Sequence, residues 1–207
     1  MRSIPLIGAS AVHVGFRLAY FFYIGMRLRA QVSNPRPPGE QPHSAWLGFK
    51  RKASIILNAD GVSLVAVVLL SAGSLSLQAS RSLTTVIGLV LICAGVAVKA
   101  AAYRVVGIKG YYWYNFFCGH SEREYLSRGV YKYLDNPMYT VGYLHAFGFA
   151  LLFRSAWGLL FALFDVLVLW AFHTCFEKPH TRLYREEIVR LEVEADEMGS
   201  LVQEDYS

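Results

Sequence analysis

Apolar residues along this chain cluster into long runs that show neither the alternation of a half-buried strand nor the one-sided stripe of a soluble helix. Crossing about 30 Å of hydrocarbon takes roughly 20 predominantly apolar residues as a helix. Four runs reach that length. They extend over about Ile4 to Met26, Ile55 to Leu77, Leu83 to Val106 and Met138 to Phe176. The last is too long for one crossing, and Arg154-Ser155 interrupts it where a tight turn fits, so it divides into two helices. The pattern predicts an all-α bundle of about five membrane spans.

The spacing of basic residues orients that bundle, because loops on the cytoplasmic side collect Lys and Arg. Arg27, Arg29, Arg36, Lys50, Arg51 and Lys52 follow the first span, with Glu40 as the only acid. The short connection at Gln78 to Ser82 holds only Arg81, whereas Arg104 to Pro137 carries Arg104, Lys109, Arg123, Arg128 and Lys132. The Arg154 turn is poor in basic residues, and the tail holds Lys178, Arg182, Arg185 and Arg190. Five spans with the N-terminus outside and the C-terminus in the cytoplasm satisfy this alternation. A division follows: 1–53 as a first helix with a basic loop, 54–184 as a core and 185–207 as a cytoplasmic tail. The segment Asn34-Pro35-Arg36-Pro37-Pro38-Gly39 cannot continue a helix and reads as the linker after the first span. Within the tail region, Arg182 to Met198 reads equally as a helix lying on the membrane or as a solvated one.

Composition agrees with this reading. Hydrophobic residues make up 55% of the 207 and charged ones 17%, with a mean hydropathy of +0.35, which excludes disorder and argues against a free cytosolic protein. The net charge of +5 has no separate basic domain to carry nucleic acid, so it belongs to membrane orientation. Cys93, Cys118 and Cys175 lack the paired spacing of a disulfide scaffold or a structural zinc site, and no metal is expected.

Polar chemistry gathers on the predicted cytoplasmic side. Lys99 ends a small-residue run, Cys93 to Ala97, which allows a helix or a ligand to approach the backbone. The aromatic run Tyr111 to Phe117 reads as an interfacial belt, in which Tyr112 or Tyr114 is also able to face a sulfonium. Asn136-Pro137 reads as a helix cap with a first-turn proline, whose free N–H groups suit an anion. The final span ends at Glu177-Lys178-Pro179-His180. Asn58, Asp60 and Asp165 fall inside predicted spans, where a polar group is costly unless paired. Asp60 is placed near the cytoplasmic end, and Asp165 is assigned an interhelical partner.

Leu134-Asp135-Asn136-Pro137-Met138-Tyr139, then Val141-Gly142-Tyr143 and Glu177-Lys178-Pro179-His180, resemble the phosphatidylethanolamine N-methyltransferases, over about Gly88 to Tyr184. The segment Gly107-Ile-Lys-Gly110 with Tyr112 and Phe117 is similar to that family's Gly-x-x-Gly aromatic segment. The resemblance implies S-adenosylmethionine as cofactor, with contacts at Gly95, Gly107, Gly110, Tyr112, Asn136, Pro137, Tyr139, Gly142, Glu177 and Lys178. It implies an ethanolamine phospholipid or its mono- or dimethyl derivative as acceptor, in a membrane site facing the cytoplasm: the endoplasmic reticulum of a eukaryote or the inner membrane of a bacterium. Glu177, His180 and Tyr139 are the candidate catalytic residues, and Arg128, Lys132 and Arg182 would attract the lipid phosphate. Lys178 stands where the family commonly has a second acid, and Tyr114-Asn115 where it has Gly-Asp. Alternatives left open are a prenylcysteine carboxylate or another lipid as acceptor, a membrane reductase, and a non-catalytic membrane protein.

Overall fold

The computed structural model describes residues 3–33, 41–76, 80–118, 128–134 and 136–180. Among these every regular element is a helix. α1 (Ser3–Ala19) runs through a π-helical turn (Tyr20–Ile24) into α2 (Gly25–Ser33). α3 covers Pro42–Leu70, α4 Arg81–Tyr111 and the short α5 Tyr114–Cys118. α6 (Leu144–Leu152) and α7 (Ala156–Phe172) form a hairpin, and α7 continues into a second π-helical turn (His173–Glu177). Arg182 and the expected tail helix lie outside the described residues, as does the Pro-rich linker.

The first helix departs from the pattern of a soluble bundle. On α1, Ile4, Ile7, Val12 and Leu18 are exposed while His13 and Arg17 are buried, followed by Tyr20 and Ile24 in the π turn. With lipid around the bundle, apolar side chains gain nothing by facing inward and polar ones do. Four helical stretches are long and apolar enough to cross a membrane: Ile4–Gln31, Pro42–Leu70, Arg81–Cys118 and Ala156–His180.

The expected fourth span takes a different form. Asn136 to Thr140 makes hydrogen-bonded turns, Val141–Tyr143 is a 3₁₀ turn, and only Val141–Leu152 is continuously helical. Twelve residues advance about 18 Å, well short of a bilayer. At its far end Gly73 N–H donates to Phe153 O at 3.0 Å and Leu75 N–H to Arg154 O at 2.8 Å, so the α6–α7 turn and the α3–α4 connection share one end of the bundle. The described residues therefore contain four long apolar helices and one short one in place of the five full spans expected. The irregular backbone satisfies its own polar groups: Pro137 is fully buried and its carbonyl accepts from Gly142 N–H at 2.8 Å. The turn placed at Arg154-Ser155 is present, with Arg154 at φ 50° and the Ser155 hydroxyl capping α7 by accepting from Gly158 N–H at 2.7 Å.

Glycines let α6 lie directly on α4. A Cβ on Gly88 would stand 2.8 Å from the Gly148 carbonyl, and one on Gly95 2.5 Å from the His145 nitrogen. Two boundaries also move. α3 begins at Pro42, a favourable first-turn position, so the 53/54 division falls inside a helix. Asp60 consequently sits well inside α3 and is buried.

Candidate active site

A cavity of about 490 Å³ runs between α3, α4, α6 and α7. One end is a polar hub centred on Glu177. Its Oε1 accepts from Trp113 Nε1 at 2.6 Å and from Tyr139 Oη at 2.8 Å, while Oε2 lies 2.8 Å from His173 Nδ1. Because Tyr139 donates to Glu177, the 3.1 Å contact with Tyr20 Oη has Tyr20 as donor. Asn136 Nδ2 is 3.2 Å from the same His173 nitrogen, which can carry one of its two bonds at a time. Trp113 and Tyr139 thus donate to one carboxylate oxygen while His173 contacts the other, and together they fix the orientation of Glu177.

Local backbone places each member. The break in α4 is at Gly107, whose φ of 62° suits glycine, and beyond it Trp113 adopts φ 51°, a left-handed value uncommon for a bulky residue. That turn aims the indole inward, where Trp113 is 7% exposed, and not into an interfacial belt. The π-helical turn from His173 to Glu177 keeps both side chains on the cavity wall. Tyr131 also lines the cavity, where burial, and then the negative Glu177, push its phenol up to about 12, so it remains a hydrogen-bond donor at ordinary pH.

Of the predicted contacts, Gly110, Asn136, Tyr139 and Glu177 line the cavity. The others are used differently. Gly95 and Gly142 are buried in backbone packing, Gly142 beneath Pro137 O and Lys99 Cγ. Gly107 supplies the break in α4, and Pro137 is buried within an irregular turn and does not begin a regular helix. Tyr112 contributes its carbonyl, 3.0 Å from Trp46 Nε1, and Lys178 is exposed. The His180 ring stacks on Phe116 at 3.9 Å and does not itself line the cavity. Arg128 and Lys132 are exposed and do not line the cavity, and Arg182 lies outside the described residues.

Deeper in the bundle is a second polar group. Arg17 bonds Asp60 Oδ2 at 2.7 Å, Asp165 Oδ1 at 2.6 Å and, by donation, Tyr143 Oη at 2.9 Å. Tyr143 in turn donates to Asp165 Oδ2 at 2.5 Å, and His13 Nε2 is 3.2 Å from Asp165 Oδ1. Asp165 thus has the interhelical partners expected of it. His13, Asp60 and Asp165 are close enough to ligate a metal, but the guanidinium of Arg17 already bridges the two carboxylates. Tyr20, Trp113, His173 and Arg17 were not foreseen as site residues. Only His173 had a usable signal, standing four residues before Glu177 on the same helical face.

The fold and site define an integral-membrane helical bundle with an amphipathic cavity whose polar end is built around one carboxylate. Residues 83–187 match the phospholipid methyltransferase family, and the chain belongs to that family. It is 33% identical over 139 residues to the phosphatidylethanolamine N-methyltransferase of Saccharomyces cerevisiae, covering 66% of this chain and 16% of that protein. It is 30% identical over 145 residues to the enzyme of that name from Clavispora lusitaniae, covering 66% and 17%. With that of Lachancea thermotolerans it shares 29% over 147 residues, covering 70% and 17%. The chain thus spans about a sixth of the length of these curated relatives. No solved structure gives a significant match.

Proposed function

We propose that the chain is an S-adenosylmethionine-dependent N-methyltransferase acting on the ethanolamine headgroup of phosphatidylethanolamine or its partly methylated forms. The observation that carries this reading is the Glu177 hub, in which Trp113 and Tyr139 donate to one carboxylate oxygen and His173 contacts the other, all from separate parts of the family-matched stretch. S-adenosylmethionine, when bound, supplies an electrophilic methyl group on a sulfonium. Glu177 and Asn136 suit its polar edges, and Tyr111 and Tyr114 on the same wall present faces to which a cation is attracted. No covalent nucleophile is needed, so the residues act by alignment and by excluding water. The acceptor ammonium must lose its proton before attack, and Glu177 and His173 are the titratable pair on the wall at this end. Tyr139, bonded to Glu177, shapes the junction between the two substrates. The basic loops support an orientation with this end of the bundle in the cytoplasm and the N-terminus outside.

The test is transfer of labelled methyl to defined lipids by protein reconstituted in nanodiscs. Transfer to phosphatidylethanolamine, its monomethyl or its dimethyl form is the expected result, and product identity assigns the step. Transfer to a prenylcysteine peptide alone would overturn the acceptor. Glu177→Ala should weaken equilibrium binding of S-adenosylmethionine by about 1.5–3 kcal/mol, the range for a charged hydrogen bond. Unchanged affinity in a folded variant would remove Glu177 from the cofactor site.

A further inference from the structure

The cavity is bounded on two sides by helices that are consecutive in sequence yet stand apart. α3 contributes the stripe Leu57, Gly61, Leu64 and Val65, and α4 contributes Ile92 and Val96. Val65 and Val96 line the cavity and are also 40% and 52% exposed, so they belong at once to its wall and to the apolar outer surface. The cavity is therefore open sideways, toward where lipid chains lie. A shallow groove along α3, bordered by Asn58 and Val62, adjoins the same opening.

Arg17, Lys99 and Lys109 all line the cavity, and Lys99 is the one beside the exposed Val96. Lys99 lies one helical turn beyond Val96 on the same α4 stripe, with its Cγ against Gly142 and its Nζ 5.3 Å from the centre of the Tyr143 ring. It makes no hydrogen bond or ion pair among the described residues, and the acids nearby, Asp60 and Asp165, are both bonded by Arg17. Across the gap on α3 stands Asp60, also on the cavity wall. A headgroup carrying both signs matches this arrangement, with its anion drawn to α4 and kept from α3. Gly142, which covers the lysine stem, belongs to the turn that carries Tyr139 to Glu177, so the cation is joined to the polar hub by a few residues of backbone.

We propose that the gap between α3 and α4 is the lateral entrance for a zwitterionic glycerophospholipid, and that Lys99 holds its phosphodiester. This rests on the phospholipid methyltransferase reading. It moves phosphate recognition from Arg128 and Lys132, which do not line the cavity, to a residue that does. A two-tailed lipid then keeps its chains in the bilayer while its headgroup enters, avoiding about 0.8 kcal/mol for each CH₂ otherwise extracted.

The experiment measures methyl transfer by the full chain in vesicles of increasing phosphatidylethanolamine fraction, with S-adenosylmethionine binding measured separately. Lys99→Gln should raise the KM for lipid about tenfold or more, the loss of one charge-assisted hydrogen bond, with cofactor affinity unchanged. Lys99→Arg should restore most of it. An unchanged lipid KM in Lys99→Gln overturns the assignment, and so does a loss confined to cofactor affinity, which would give the lysine to the cofactor's own carboxylate. Should Lys99→Gln fail to fold, Gly61→Trp decides, since a Cβ on Gly61 meets nothing within 4 Å and the indole would fill the gap. A raised lipid KM with intact cofactor binding supports the entrance, and wild-type KM refutes it. Failure of the wild-type protein to methylate any ethanolamine lipid would instead refute the parent reading.

Discussion

The two polar regions of this bundle use similar side chains for different ends. Around Glu177, donors from the α4–α5 turn, the entry to α6 and the end of α7 converge on a half-buried acceptor that faces a cavity. Around Arg17, both carboxylates, a phenol and an imidazole are buried and bonded to one another across α1, α3 and α7. Members of both regions line the cavity, but the second ties its charges to one another across three helices. Where lipid surrounds the helices, apolar packing gives α1 little reason to stay, and mutual satisfaction of buried polar groups supplies one. The Arg17 network is accordingly a fastening that holds α1 and α3 to the family-matched stretch, and the Glu177 hub, built within that stretch, is the candidate site.

The strongest way to break this contrast is to remove the arginine. Arg17→Met leaves two acids buried without their cation, and loss of one partner from a buried pair costs about 3–5 kcal/mol. Thermal unfolding in detergent should show a large loss, and Asp60→Asn with Asp165→Asn in the same chain should recover much of it. A variant that melts like the wild type would mean that the network does not fasten α1.

Packing gives the next effect. A Cβ on Gly148 would meet the Gly88 carbonyl and, at 2.8 Å, the Ile92 nitrogen, all backbone that cannot turn aside. Gly148→Val should destabilise by about 1–3 kcal/mol, as overpacking does. Gly8→Val, where a Cβ meets nothing within 4 Å, is the matched control and should leave the melting point almost unchanged. Equal losses at both positions would deny that α6 is seated by its glycines.

Which parts of this were legible in the sequence follows from what each residue needs. Apolar run length announced the long helices, and a charged residue inside an apolar stretch announced the Arg154 turn and the partner of Asp165. The short α6 was hidden because Met138 to Tyr143 is as apolar as a helix, and the local hydrogen bonds that turn its backbone leave no mark in the sequence. At the site, Glu177, Asn136 and Tyr139 were reached through motif resemblance. Glycines in the same motifs proved to serve backbone approach, a use that spacing alone does not separate from ligand contact. Trp113 carried the ordinary mark of an interfacial aromatic, and its inward direction depends on a left-handed φ that no composition reveals. Tyr20 gave no signal, since its partner lies 119 residues away.

Tyr20 supplies the smallest and sharpest test, because it is where the two regions meet. It lies three residues after Arg17, is 1% exposed, and donates to Tyr139, which donates to Glu177. Tyr20→Phe removes the hydrogen bond to Tyr139 Oη and leaves the ring packed on Phe172 at 4.6 Å. The expected cost is about 0.5–1.5 kcal/mol, a factor of roughly 2 to 10 in cofactor affinity or methyl transfer. Tyr139→Phe takes a donor from the carboxylate itself and should cost more, since a bond to a charged group is worth about 1.5–3 kcal/mol. If the double variant loses little beyond Tyr139→Phe alone, Tyr20 acts through Tyr139, and the fastening of α1 is coupled to the site by that single contact. Additive losses would show that Tyr20 contributes to the site by another route, and the two regions would then be less separate than their hydrogen bonds indicate.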